Sequence, residues 1–151
     1  MSQLFSLTSP GFHSGQPVPA RFTCDGANRS PALVWQGAPT GGRGFALVMH
    51  DPDAPGGDFT HWLLWDIPST VHALAEGAPL PGVSGRNGFG RIWYGGPCPP
   101  PGRAHRYFFQ LHALRTARLP LRPGATRAAL EAALRGQVLA TATLLGTYAR
   151  R

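Results

Sequence analysis

A β-dominated fold, a sandwich or barrel, is predicted by three features of the chain. Twenty glycines and sixteen prolines in 151 residues are too many for a helical bundle and fit strands joined by turns. These residues lie between short apolar runs, so they punctuate strands and do not form a disordered tract. Only one stretch, Arg127 to Arg135, has convincing helical spacing. The length suits a single domain, 1–151, able to bury a substantial core.

Taken in order, residues 3–8 and 18–23 read as short strands flanking the turn Pro10-Gly11-Phe12-His13-Ser14-Gly15. Thr23 to Pro31 is a loop rich in residues that tolerate a left-handed backbone. Ala32 to Gln36 is a strand, and Phe45 to Met49 is an apolar run too short for a helix, as expected of a strand buried on both faces. His61 to Ile67 is the next buried strand, and residues 69–90 read as loop, anchored by Leu74, Leu80 and Val83. Tyr107 to Leu114 is a third central strand. Thr126 caps the helix, whose Leu130 and Leu134 stand at i, i+4 and whose last turn is expected to run on through Val138-Leu139. Thr141 to Tyr148 closes the sheet, with Gly146 as an expected bulge.

The net charge of +7 comes from fourteen arginines, with no lysine, against five aspartates and two glutamates. The arginines are scattered singly except at Arg150-Arg151, without a basic helix, zinc-finger spacing or RNA-binding aromatics, so nucleic acid is not an expected partner. No apolar run approaches the roughly 20 residues of a membrane span, and Met1 to Phe5 lacks a signal-peptide pattern, so a cytoplasmic location is expected. In that compartment Cys24 and Cys98 are expected to be free thiols, although both turns could meet near one rim.

Chemistry concentrates in two segments. Tyr94 to Tyr107 joins the glycine turn Gly95-Gly96, the stiff run Pro97-Cys98-Pro99-Pro100-Pro101 and a strand start on which His105, Tyr107 and Phe109 share a face. The turn is expected to aim main-chain N–H groups at a ligand. In Asp51-Pro52-Asp53-Ala54-Pro55 the prolines pin two carboxylates at a strand end, and His61 follows ten residues after Asp51. Four of the seven acidic residues fall in the window 51–66.

Read together, these groups suit a metal site, acid/base machinery or an anion pocket. The glycine amides favour the anion pocket, because a metal gains nothing from N–H groups. No Gly-x-Ser-x-Gly elbow is present, which disfavours a serine hydrolase. A hydrolase or metal-dependent enzyme using the same Asp/His cluster stands as the alternative.

Asp51 to Pro55, Gly95 to Pro100 and His105-Arg106-Tyr107 closely resemble the phosphatidylethanolamine-binding protein family, in its bacterial branch similar to Raf kinase inhibitor protein. Thr23-Cys24-Asp25-Gly26, Ser30 to Trp35 and Leu145-Gly146-Thr147-Tyr148 match that branch as well. The resemblance implies a large central antiparallel sheet, a smaller sheet packed on it, and one or two short helices near the C-terminus. It implies a non-enzymatic binding protein with a pocket for phosphate, carboxylate or a phospholipid head group, and no metal or other cofactor. Carried over by position, Asp51, His61, Gly96, Pro97, His105 and Tyr107 would bind the ligand, with Asp53, Pro55 and Gly95 shaping the wall. Regulation of a kinase or protease and a homodimer are also implied for family members. Departures are a short Gly56 to Thr60 loop, Trp93 before the glycine turn, and an arginine where lysine is common.

Overall fold

The computed structural model describes residues 4–151; Gln3, at the start of the first expected strand, lies outside the described residues. Two sheets form. The smaller contains β1 (Ser6–Thr8), β3 (Leu33–Gln36) and β6 (Ala73–Leu74), in the order β1-β3-β6. The larger has six strands, running from β2 (Gln16–Pro17) through β9 (Val138–Tyr148), β8 (His105–Leu114), β4 (Gly44–Asp51) and β5 (Phe59–Pro68) to β7 (Val83–Ser84). Its pairings are antiparallel except for β2 with β9.

The apolar run of β4 is buried on both faces because the large sheet has a core on each side. Phe45, Leu47 and Met49 join Trp35, Trp62, Phe109 and Leu111 in one cluster. Ala46 and Val48 join Leu63, Trp65, Leu130 and Leu134 in the other. The single α-helix, α1 (Arg127–Leu134), covers that second face, capped by Thr126 Oγ1 accepting from Ala129 N. Strands are central here because β-branched and aromatic side chains fill both faces of a pleated surface well.

Several expectations are corrected. Residues 18–23 are not a strand: Ala20–Phe22 form a 3-10 turn, and only Gln16–Pro17 pair with β9, since Pro17 and Pro19 have no N–H to donate. The loop 69–90 contains the two short edge strands β6 and β7. The helix stops at Leu134, because Gly136 takes a left-handed φ of 75° and Val138 already belongs to β9. Gly146 is in register opposite Tyr107, not in a bulge; the β8–β9 irregularity lies at Ala113/Leu114. Glycine is needed at 146 because a Cβ there would meet Val18 Cγ2 at 2.5 Å.

Two extra residues on β5 interrupt its register with β4. Phe45 pairs with Ile67 but Leu47 with Leu64, which inserts a residue near Asp66, whose φ is 54° and whose Oδ1 accepts from Leu119 N. Met49 pairs with Trp62 but His50 with Thr60, which leaves His61 as the additional residue of a second bulge. Bulges bend a strand locally and re-aim one side chain.

The cysteines are joined. Cys24 and Cys98 form a disulfide with Cα atoms 5.4 Å apart, so the expectation of free thiols is overturned. The two turns are sewn together beside the bridge, with Cys24 N donating to Pro97 O and Gly96 N donating to Asn28 Oδ1. Persistent bridges are favoured in oxidising compartments and are rare in most cytosols, which is in tension with the expected cytoplasmic location. Among the described residues no helix is long and apolar enough to cross a membrane.

Candidate functional site

The C-terminal end of β4 lies between the N-terminal ends of β8 and β5, since both neighbours run antiparallel to it. Asp51 closes β4, His105 opens β8 with Tyr107 two residues on, and the bulge presents His61 from β5. These four side chains line one cavity of about 170 Å³. Its remaining walls are apolar: Ala54 and Pro55 on one side, Phe59 and Phe89 on another, and Cys98, Pro99 and Pro100 from the proline run.

Asp51 is 3% exposed and fully engaged. Its Oδ2 accepts from His105 Nδ1 at 2.7 Å, and its Oδ1 accepts from Asp53 N at 2.8 Å. The carboxylate therefore orients His105, fixing Nδ1 as the donor and leaving Nε2 for the cavity. His61 is held from the other ring edge, its Nδ1 donating to Gly95 O at 2.6 Å. Burial holds its pKa below the usual histidine value, against the opposing pull of the Gly95 carbonyl and the Asp51 charge.

Tyr107 is wholly buried, and its hydroxyl has no well-formed hydrogen bond among the described residues. Burial first, then the neighbouring Asp51 charge and a side-chain contact of the hydroxyl with that carboxylate, push its pKa up, so it stays a neutral O–H donor. The adjacent carboxylate is already occupied by His105 and the Asp53 amide. A buried hydroxyl left without a partner costs about 1–3 kcal/mol.

Other expected site residues are placed differently. Asp53 turns away from the cavity and takes Arg106 in a two-pronged pair, Nε to Oδ2 and Nη2 to Oδ1, each at 2.9 Å. Those bonds hold its carboxyl pKa down at about 2. The glycine amides do not face a ligand: Gly95 N donates to His61 O and Gly96 N to Asn28 Oδ1, so neither is free for an anion. Gly95, Gly96 and Pro97 do not line this cavity; Gly95 and Gly96 line a neighbouring one with Cys24, Asn28 and Trp93.

Residues that sequence reasoning passed over do much of the positioning. Asn87 accepts from Phe89 N and Arg91 N through Oδ1 and donates to Trp93 O, which folds the segment that delivers Phe89 to the cavity. Asn28 fixes Gly96. The Asn87-Gly88 pair is visible as a turn, but its long-range bonds are not. Among the described residues no three His, Cys, Asp or Glu side chains are grouped as a metal site.

Stability should report the neutral, buried His61. Its folded pKa lies below the unfolded value near 6.5, so the unfolded chain binds the proton more readily. This contribution is whole above pH ~6.5 and is lost as pH falls from there through the folded value. His112, also lowered by burial, adds to the same window, and Asp53 acts only below pH ~4. Melting temperatures should therefore be level between pH ~7 and 8 and decline from about 6.5 downward, and His61→Gln should flatten part of that slope. A level profile down to pH ~5 would contradict burial of the neutral ring.

A model of the phosphatidylethanolamine-binding protein family matches residues 8–149. A UPF0098 protein of Aquifex aeolicus is 46% identical over 153 residues, covering 97% of this chain and 90% of the relative. A UPF0098 protein of Methanothermobacter thermautotrophicus is 43% identical over 151 residues, covering 96% and 99%. Two solved structures share the fold. A phosphatidylethanolamine-binding protein homologue from Chlamydia trachomatis superposes with a TM-score of 0.93 at 37% identity, covering 99% of this chain and all of the other. Escherichia coli YbcL, described as a member of the mammalian family, gives 0.92 at 34% identity, covering 97% and 99%.

Proposed function

We propose that this chain, which belongs to the phosphatidylethanolamine-binding protein family, is a non-enzymatic binding protein for small phosphate- or carboxylate-bearing ligands. The observation that carries the reading is the Tyr107 hydroxyl, buried beside the Asp51 carboxylate without a well-formed hydrogen bond, in a cavity that His61 and His105 also line. An anion docked there gives that O–H an acceptor. His105 supplies a second donor from Nε2 when protonated, and Asp51 behind it neutralises the imidazolium. Apolar walls of phenylalanine and proline lower the local dielectric and strengthen both bonds.

The cavity size limits the ligand to a head group or small molecule. Charge-assisted bonds are worth about 1.5–3 kcal/mol each, so two of them against the cost of immobilising a small anion give an affinity on the order of micromolar to millimolar. Regulation of a kinase or protease, and a homodimer, rest on the family resemblance alone.

Titration of the full chain with inorganic phosphate, followed by imidazole chemical shifts, tests the reading. Tyr107→Phe should weaken binding roughly 10-fold or more. It should change the melting temperature little, because the hydroxyl it removes makes no well-formed hydrogen bond. His105→Ala should weaken binding comparably; unchanged affinity in both variants would sink the assignment.

A further inference from the structure

We propose that this cavity, taken as the anion site described above, selects oxyanions that still carry a proton, with His61 Nε2 as the acceptor that enforces the choice. The ligand class is the acid phosphate and the phosphomonoester monoanion, in preference to sulfate or a phosphodiester. The carbonyl of Gly95 sets the tautomer. A carbonyl oxygen has only lone pairs to offer, so the contact of 2.6 Å with His61 Nδ1 requires the proton to be on Nδ1. In the neutral ring, Nε2 is then a lone-pair acceptor, the ring nitrogen that the Gly95 carbonyl does not engage, on a residue that lines the cavity.

The ring is not free to exchange its two nitrogens. It sits in the β5 bulge, 3% exposed, with Phe59, Phe89 and Tyr107 rings at 5.0, 5.5 and 5.2 Å between centroids, all edge-on. Turning it over would place carbon against the Gly95 carbonyl and strand a buried acceptor. The titratable and charged groups around it are Asp51 and His50 on β4 and His105 and Tyr107 on β8. Only Asp51 among them favours a second proton on His61, and it does so less than burial opposes it.

The cavity therefore has two polarities. Tyr107 O–H asks for an acceptor oxygen; His61 Nε2, with the Asp51 carboxylate beyond, asks for a donor. A tetrahedral anion with no proton turns only lone pairs towards His61, leaving that buried acceptor unsatisfied and adding lone-pair repulsion. One P–OH group converts the clash into a hydrogen bond. Rejection by an unpaired polar group is the stronger route to specificity, since a site built to bond a ligand's O–H discriminates sharply against the analogue that lacks it. The same logic separates two sources of phosphate. A phospholipid head group is a diester without a P–OH at any pH, whereas phosphomonoesters carry one below their second pKa of about 6 and free phosphate also carries one there.

The test uses the full chain and four probes of similar shape at pH ~5.5: inorganic phosphate, methyl phosphate, sulfate and dimethyl phosphate. Phosphate and methyl phosphate should bind about 10-fold or more tightly than sulfate and dimethyl phosphate. Raising the pH to about 7.5 removes the proton from methyl phosphate but leaves dimethyl phosphate unchanged. The ratio of their affinities should fall. His61→Gln, checked for an unchanged melting profile at pH ~8, should raise sulfate affinity relative to phosphate, as the amide supplies a donor. Sulfate binding as tightly as phosphate overturns the proton requirement while leaving the anion pocket standing. Dimethyl phosphate binding as tightly as methyl phosphate at pH ~5.5 also overturns it, because a diester has no P–OH to donate to His61. Failure of all four probes to bind removes both readings.

Discussion

Replacing both cysteines, Cys24→Ser with Cys98→Ser, or reducing their bridge, is expected to lower the melting temperature by roughly 10–15 °C. The bridge closes a loop with a sequence separation of 74, large enough that loop entropy alone accounts for about 4 kcal/mol. For a domain of this size each kcal/mol moves the midpoint by about 2–4 °C. The consequence reaches the site, because Cys98, Pro99 and Pro100 form one wall of the cavity. That wall is a proline run with few donors of its own, held at one end by Cys24 and at the other by Gly102 N bonding to Arg150 O. Untethered, it should loosen before the sheet does, and phosphate affinity should fall at temperatures where the rest of the fold is intact. Calorimetry with and without dithiothreitol reads the first effect, and phosphate titration of the double variant reads the second. A shift under about 3 °C would mean that the hydrogen bonds beside the bridge hold the turns unaided.

The parts of this fold legible in the sequence are those governed by periodicity and punctuation. The run Phe45 to Met49 is a strand with a core on each face, and the alternation from His105 puts Tyr107, Phe109 and Leu111 on one side. Thr126 and the Leu130/Leu134 spacing gave the helix its start and its buried face. What stayed hidden depends on contacts between residues far apart in the chain. The β5 bulge that presents His61 has no local signature, since one inserted residue changes pairing without changing composition. The cysteine pairing followed from two turns bonded to each other, while compartment statistics pointed the other way. Asn28 and Asn87 read as turn residues, and their side chains instead brace Gly96 and the Phe89 segment. Asp53 was legible as a carboxylate at a strand end, but its engagement by Arg106 comes from β8, across the strand register.

The glycine turn shows how far residue type and three-dimensional contact can diverge. Gly95 and Gly96 read as a flexible pair whose amides face a ligand; neither has a left-handed φ, and both amides are bonded within the protein. Their requirement is space. A Cβ on Gly96 would lie 2.1 Å from Phe22 O and 2.4 Å from Asn28 Oδ1, the first a backbone atom that cannot swing aside. Gly96→Ala must push the turn away from the Phe22 carbonyl, break the Asn28 bond and strain Tyr94, whose hydroxyl donates to that same carbonyl at 2.6 Å. Overpacking costs about 1–3 kcal/mol and each lost buried bond about 1, so a loss of about 3–4 kcal/mol is expected. A Cβ on Gly95 would instead meet the Phe89 ring at 2.5 Å, a side chain 46% exposed and free to rotate outward. Gly95→Ala should therefore cost less than about 1.5 kcal/mol and show itself in the cavity, where Phe89 forms part of the wall and where phosphate binding should change. Urea unfolding of the two variants decides the matter: equal losses would mean that both glycines serve backbone conformation, and a larger loss at Gly96 that the turn is fixed by its approach to Phe22.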